Sequence, residues 1–211
     1  GIPDFRSVDG LYRQQYAFPP ETILSHSFFE RNPEEFYRFY RSKMLFPQAR
    51  PNAAHWKLAE LEAAGKLTAV VTQNIDELHQ AAGSKTVYEL HGSVHRNHCM
   101  KCRRFYGLDF LLETGGVPCC PACGGVVKPD VVLYEECLDE TTMEGAVEAI
   151  AGADMLIIGG TSLAVYPAAG LIRYYRGNRL ALINKSATPY DREADLVIHA
   201  PLGEVLGAVR V

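Results

Sequence analysis

The sequence predicts an α/β fold: a Rossmann-like parallel sheet with helices on both faces and a small lobe inserted into it. Short apolar runs at 67–71, 86–90, 130–134, 154–158, 179–183 and 195–199 alternate with helical patterns. Strands without polar alternation belong in a parallel sheet covered on both sides. Residues 92–127 interrupt this rhythm with a stretch rich in Cys, Gly and Arg. A chain of 211 residues can bury one large core, so 1–211 reads as a single domain and 92–127 as a lobe inserted in it.

The elements follow in order. Asn32, Pro33, Glu34 and Glu35 mark a helix start, with an N-cap residue, proline at the first position and acids in the first turn. Phe36, Phe39, Tyr40 and Met44 then recur at helical spacing. A second helix begins near Asn52, with Trp56, Leu58, Leu61 and Ala64 as its apolar set, and stops at Gly65. The 67–71 strand follows, then a short helix over 76–82 ended by Gly83, then the 86–90 strand. After the inserted lobe come the 130–134 strand, a helix over about 140–151, the 154–158 strand and a helix over 166–175. Two more strands and a short helix near 203–209 complete the chain.

Four of the six cysteines form two pairs, Cys99 with Cys102 and Cys120 with Cys123, separated by seventeen residues. This spacing fits a four-thiolate zinc knot and makes 92–127 a zinc-binding lobe. His95 and His98 flank the knot, and Cys119 is a poorer-spaced rival to Cys120 as ligand. Cys137 reads as a buried or half-buried free thiol. Paired Cys-x-x-Cys units with no signal-peptide pattern point to reduced thiols and a cytoplasmic location. Net charge is −4, which gives no support to nucleic-acid binding. Arg96, Lys101, Arg103 and Arg104 form a local basic run, read as a solvated face, with docking of a partner or an acidic peptide as the alternative. No apolar run reaches the roughly 20 residues of a membrane helix.

Ligands of open parallel sheets bind outside the carboxyl ends of the strands. Residues 72–76 (Thr-Gln-Asn-Ile-Asp) follow one strand, Gly159, Gly160, Thr161 and Ser162 another, and Asn184 and Lys185 a third. Each alone reads as a turn or cap; three at one sheet edge read as a nucleotide site. His91 also ends a strand, where it can serve as a base toward a hydroxyl. His79 reads as a packing residue of the short helix.

These residues coincide with a family pattern. Residues 1–6 (Gly-Ile-Pro-Asp-Phe-Arg), 72–76 with Leu78 and His79, 89–92 (Glu-Leu-His-Gly), the two cysteine pairs, 160–163 (Gly-Thr-Ser-Leu) and Ile183 with Asn184 closely resemble the sirtuins, NAD-dependent protein lysine deacylases. The likeness spans nearly the whole chain and is greatest to bacterial members with simple deacetylase character. No Tyr-x-x-Arg pair of the kind that favours acidic acyl groups is evident, since Tyr16 is followed three residues later by Pro19.

The resemblance implies roles. His91 would be the base acting on a hydroxyl of the nicotinamide ribose. Asn74 and Asp76 would hold that ribose and the nicotinamide amide, with Asn74 also counted as catalytic and Ile75 and Phe5 around the ring. Arg6 and Gln73 would contact the ribose-phosphate part, Thr161 and Ser162 the phosphate and adenosine side, and Asn184 the adenine ribose. Cys99, Cys102, Cys120 and Cys123 would hold a structural zinc. An acyl-lysine protein or peptide would add as a strand near Val132 and Tyr134 on one side and Val165 on the other. The acyl oxygen would attack the anomeric carbon as nicotinamide leaves, in an apolar slot that excludes water, giving deacylated lysine, nicotinamide and O-acetyl-ADP-ribose.

Two departures from the family pattern stand out. The family's strand and Gly-Ala-Gly-x-Ser segment lie just before the position of Gly1, so the chain reads as N-terminally short. Where many relatives carry Phe-Gly-Glu, this chain has Tyr134, Glu135 and Glu136, which puts the peptide-binding geometry in question and suggests a preference for basic flanking residues. The rival readings are a non-catalytic zinc-ribbon interaction module and a protein ADP-ribosyltransferase.

Overall fold

A computed structural model describes residue 2 and residues 18–211; Phe5, Arg6 and Tyr16 lie outside the described residues. The chain divides into two compact units.

The first unit takes in residues 18–49, Asn74–Glu77 and His91–Leu138. It begins with three helices, α1 (Pro20–Ile23), α2 (His26–Arg31) and α3 (Pro33–Lys43). Ser25 caps α2 by accepting the Phe28 N–H. Pro33 opens α3 as expected, although the Asn32 side chain makes no cap bond. The anticipated stripe of α3 is buried, and Tyr37 joins it. Phe36 packs edge-on against Phe29 and stacks on Tyr40, and the Tyr37 hydroxyl donates to the Val127 carbonyl. This aromatic cluster is continuous with Leu108, Leu111, Cys99, Cys120 and Val127 of the cysteine-rich lobe. The lobe contains the antiparallel sheet β4–β3–β5, formed by β3 (Asn97–Cys99), β4 (Phe105–Tyr106) and β5 (Val127–Pro129), with α6 (Leu108–Glu113). Its core is therefore shared with α1–α3.

The second unit takes in Arg50–Gln73, Leu78–Leu90 and Asp139–Val211. Here α4 (Ala53–Ala63) starts at a capping box in which Asn52 accepts the Ala54 and His55 N–H groups. Strands β1 (Val70–Thr72) and β2 (Val87–Glu89) pair in parallel around α5 (Leu78–Ala81). α7 (Glu140–Ala151) leads to β6 (Leu156–Gly159), which pairs in parallel with β7 (Leu180–Ile183), as β7 does with β8 (Leu196–Ile198). α8 (Leu202–Gly207) packs on α4, with Ala54, Ile183 and Leu206 at the contact. The parallel pairing anticipated from the sequence is present; among the described residues it forms a two-stranded and a three-stranded sheet.

Four local expectations are corrected. Residues 130–134 join no sheet: their backbone bonds go to His91, Arg96 and residues 24 and 26, with one isolated bridge from Ser25 to Tyr134. The expected helix at 166–175 is a 3₁₀ helix over Ala168–Tyr174. Trp56 is 54% exposed while Ala54 and His55 are buried, because the packing of α8 selects a different face of α4. Cys137 is exposed rather than buried. No helix among the described residues is long and apolar enough to cross a membrane.

Candidate active site and metal centre

The four paired thiols converge. The sulfurs of Cys99, Cys102, Cys120 and Cys123 all lie within 4.8 Å of one another. Cys99 and Cys123 are separated by 3.4 Å, and Cys102 and Cys120 by 3.7 Å. Tetrahedral zinc at its usual Zn–S length requires sulfur separations of about 3.8 Å, so the donor set fits that ion. Two turns build it: the Cys102 N–H points at the Cys99 sulfur at 3.4 Å, and the Gly124 N–H returns to the Cys120 carbonyl at 2.8 Å. The Tyr106 hydroxyl, 2.9 Å from the Cys120 sulfur, pulls that thiol down to about 6, whereas Cys123, despite the Gly125 N–H, is pushed up to about 12 by the neighbouring sulfurs. Cys119 is exposed and directs its thiol to the Val117 carbonyl, outside the cluster. His95 and His98 are not in the cluster.

In the second unit, the candidate adenosine-side residues leave neighbouring strand ends. Gly159 pairs with Ile183 at the carboxyl ends of β6 and β7, and the Gly160 N–H bonds to the Ile183 carbonyl at 3.1 Å. Thr161 and Ser162 therefore emerge beside Asn184. The Thr161 hydroxyl accepts the Leu163 N–H at 3.2 Å, and the Asn184 amide donates to the Ser186 carbonyl at 2.8 Å. Gln73 follows β1, whose last residue Thr72 pairs with Glu89 and accepts the Leu90 N–H. Val165 is also in this unit, and its carbonyl accepts the Ala169 N–H at 2.8 Å.

The candidate nicotinamide-side residues belong to the first unit. Asn74, Ile75 and Asp76 follow β1 after Gln73, and His91 follows β2 after Leu90. The Ile75 carbonyl accepts the Val94 N–H at 2.9 Å, and the His91 carbonyl accepts the Val132 N–H at 3.0 Å. The loop of Asn74 to Asp76, the His91 turn and the segment of Val132 and Tyr134 are thus joined by backbone bonds. Tyr134 lies exposed at 38% and is tied to Leu24 through its N–H and to His26 through its carbonyl. His79 packs against His55 with ring centroids 4.7 Å apart, as expected of a packing residue.

Glu135 takes φ +76, the backbone a glycine would adopt there. Its carboxylate accepts the Ser27 N–H and hydroxyl at 2.9 and 3.0 Å, which holds it in the left-handed region. Glu136 accepts from Leu133 N–H at 2.8 Å, contacts the His26 ring at 2.8 Å and pairs with Lys128 at 3.1 Å. His26, Ser27, Glu77, Ser93 and Asp130 carry no motif that marks them in the sequence. Glu77 directly follows the candidate residue Asp76. Arg96, expected on a solvated basic face, is engaged by the carboxylates of Glu77 and Asp130.

The fold and the sites place the chain in a known class. Residues 1–167 match the model of the Sir2 family, and the chain belongs to that family. It is 62% identical over 212 residues to an NAD-dependent protein deacetylase of Clostridium perfringens, covering 99% of this chain and 87% of that one. A protein of the same description from Clostridium acetobutylicum is 60% identical, with 99% and 86% coverage. Among solved structures, a complex of Sir2 with p53 peptide and NAD+ matches at TM-score 0.84 and 40% identity, covering 97% of this chain and 84% of that one. A Sir2 variant with deacetylated p53 peptide and 3'-O-acetyl ADP ribose matches at 0.88 and 39%, with the same coverage.

Proposed function

We propose that the chain is an NAD-dependent protein lysine deacetylase, transferring the acetyl (acyl) group to ADP-ribose and releasing nicotinamide. The observation that carries this reading is the backbone linkage of three segments in one unit: the His91 turn bonds to Ile75 through Val94 and to Val132 directly. A base, a loop for the nicotinamide ribose and a segment for a peptide are then held together, as the chemistry requires.

In this reading His91 takes a proton from a ribose hydroxyl, and Asn74 and Asp76 orient the ribose and the amide. Ile75, with Phe5 by sequence, keeps water away from the reacting sugar carbon. Gln73, Thr161, Ser162 and Asn184 bind the remainder of NAD, with Arg6 added by sequence. Val132, Tyr134 and Val165 lie in the segments that receive the acyl-lysine substrate. Cys99, Cys102, Cys120 and Cys123 hold zinc as a brace. Residues 1–211 belong to the catalytic domain, with 92–127 as its metal-bearing insertion. The unpaired exposed thiols of Cys119 and Cys137 favour the cytoplasm.

The test is the zinc-loaded full-length protein given NAD and an acetyl-lysine peptide. Equal amounts of nicotinamide, deacetylated peptide and O-acetyl-ADP-ribose are expected. ADP-ribose attached to protein, or no nicotinamide released, overturns the reading.

A further inference from the structure

Arg96 sits between two carboxylates from distant parts of the chain. Its Nη1 lies 3.0 Å from Glu77 Oε1 and its Nε lies 3.2 Å from Asp130 Oδ2. The same Glu77 oxygen accepts the hydroxyl of buried Ser93 at 2.5 Å. The Asp130 N–H in turn donates to the Arg96 carbonyl at 2.8 Å. Glu77 directly follows Asp76 and takes φ +54, a conformation that side chains rarely adopt and that its two partners hold in place.

Each segment joined here carries a group that the proposed reaction uses. Glu77 ends the loop of Asn74 to Asp76, Ser93 and Arg96 belong to the turn that carries His91, and Asp130 precedes Val132. A guanidinium has donors in a planar fork and can engage two carboxylates at once, which a single ammonium does less well. The bridge is 28–44% exposed at its three side chains. Exposed ion pairs add little to global stability, whereas a displacement of about 1 Å at a reacting group can cost up to about a hundredfold in rate.

We infer that Arg96 and Glu77 are positioning residues of the deacetylation, setting the loop that carries Asp76 against the turn that carries His91. The inference rests on the deacetylase reading above. Neither residue touches the reactants; both act through their neighbours.

The test compares Arg96→Gln, Glu77→Gln, the double variant and Arg96→Lys with the wild-type, zinc-loaded, full-length enzyme. Nicotinamide release gives kcat and the separate KM values for NAD and peptide, alongside Tm and zinc content. Each Gln variant is expected to lose about five- to twentyfold in kcat, with zinc retained and Tm lowered by no more than about 3 °C. The double variant should be no worse than the more impaired single one, and Arg96→Lys should recover part of the loss. A kcat within roughly twofold of wild type in both single variants, independent losses that multiply in the double variant, or a loss that tracks falling zinc content and Tm would each overturn the inference. Wild-type protein that releases no nicotinamide would overturn the parent reading, and this inference with it.

Discussion

Gly92 and Asp130 meet backbone against backbone: a Cβ on Gly92 would stand 1.8 Å from the Asp130 carbonyl oxygen. Gly92 also has φ +72, so an L side chain is resisted both by the neighbouring chain and by its own backbone. This close approach seats the His91 turn against the segment leading to Val132, and it makes glycine at 92 a geometric requirement.

Gly92→Ala must therefore either separate the two segments or distort the turn. We expect a destabilisation of about 2 kcal/mol or more, seen as a lower Tm, with deacetylation reduced further than stability. An Ala variant with wild-type Tm and kcat would show that the two segments part without consequence.

His91→Ala tests the base. A positioned general base is worth about 10²- to 10⁴-fold in rate, so kcat should fall by that order. The thiol cluster is built from 99–123, so zinc content and Tm should stay near wild type. Loss of zinc in this variant would contradict the separation of metal centre and catalytic base.

Cys120 tests the brace. Its side chain is buried, and its neighbours Cys99, Leu111 and Val127 belong to the same core as the aromatic cluster of α3. Cys120→Ser, or chelation of the metal, should release zinc and lower Tm strongly, because metal binding energy is folding energy in such a lobe. Since this core includes α1–α3, protection from hydrogen exchange should be lost there as well as in 92–127. Retained protection in α3 would mean that the helices hold without the metal.

The His26–Glu136 pair predicts a pH dependence. The hydrogen bond to Glu136 raises the His26 pKa above 6.5, against the opposing effect of burial. A raised histidine contributes stability that is complete below pH 6.5 and lost as pH climbs through the folded value. For Glu136, burial acts upward but is outweighed by the Leu133 N–H, the His26 ring and Lys128, leaving it below 4.5. Its contribution is present above pH 4.5 and lost as pH falls through the lowered value. The difference in Tm between wild type and His26→Gln should thus shrink as the pH rises above 6.5 and through the raised folded value. A difference that is constant over that range would show the pair to be inert.

Local patterns were legible in advance. The stripe of Phe36, Phe39, Tyr40 and Met44 is buried as spaced, and Pro33 opens its helix. The two cysteine pairs announced their convergence because ligand geometry is set within each tight turn. Trp56 misled because α4 carries apolar residues around much of its circumference, so its partner α8 chose the buried face. Residues 130–134 looked like a strand because they are apolar; they lack a sheet because their hydrogen-bond partners come from a helix start and a turn. Arg96 looked like surface charge because its partners are 19 and 34 residues away.

Sequence alone determined the α/β class, the parallel pairing, the convergence of the four paired cysteines and the membership of Thr161, Ser162, Asn184 and His91 in strand-end turns. These follow from periodicity, turn chemistry and ligand spacing, which act over a few residues. Only tertiary structure decided that Glu77, Arg96 and Asp130 join, that Glu136 reaches His26, and that α1–α3 share a core with the cysteine lobe. Such contacts depend on which segments the chain brings side by side, and a carboxylate carries no mark in the sequence of the cation it will meet.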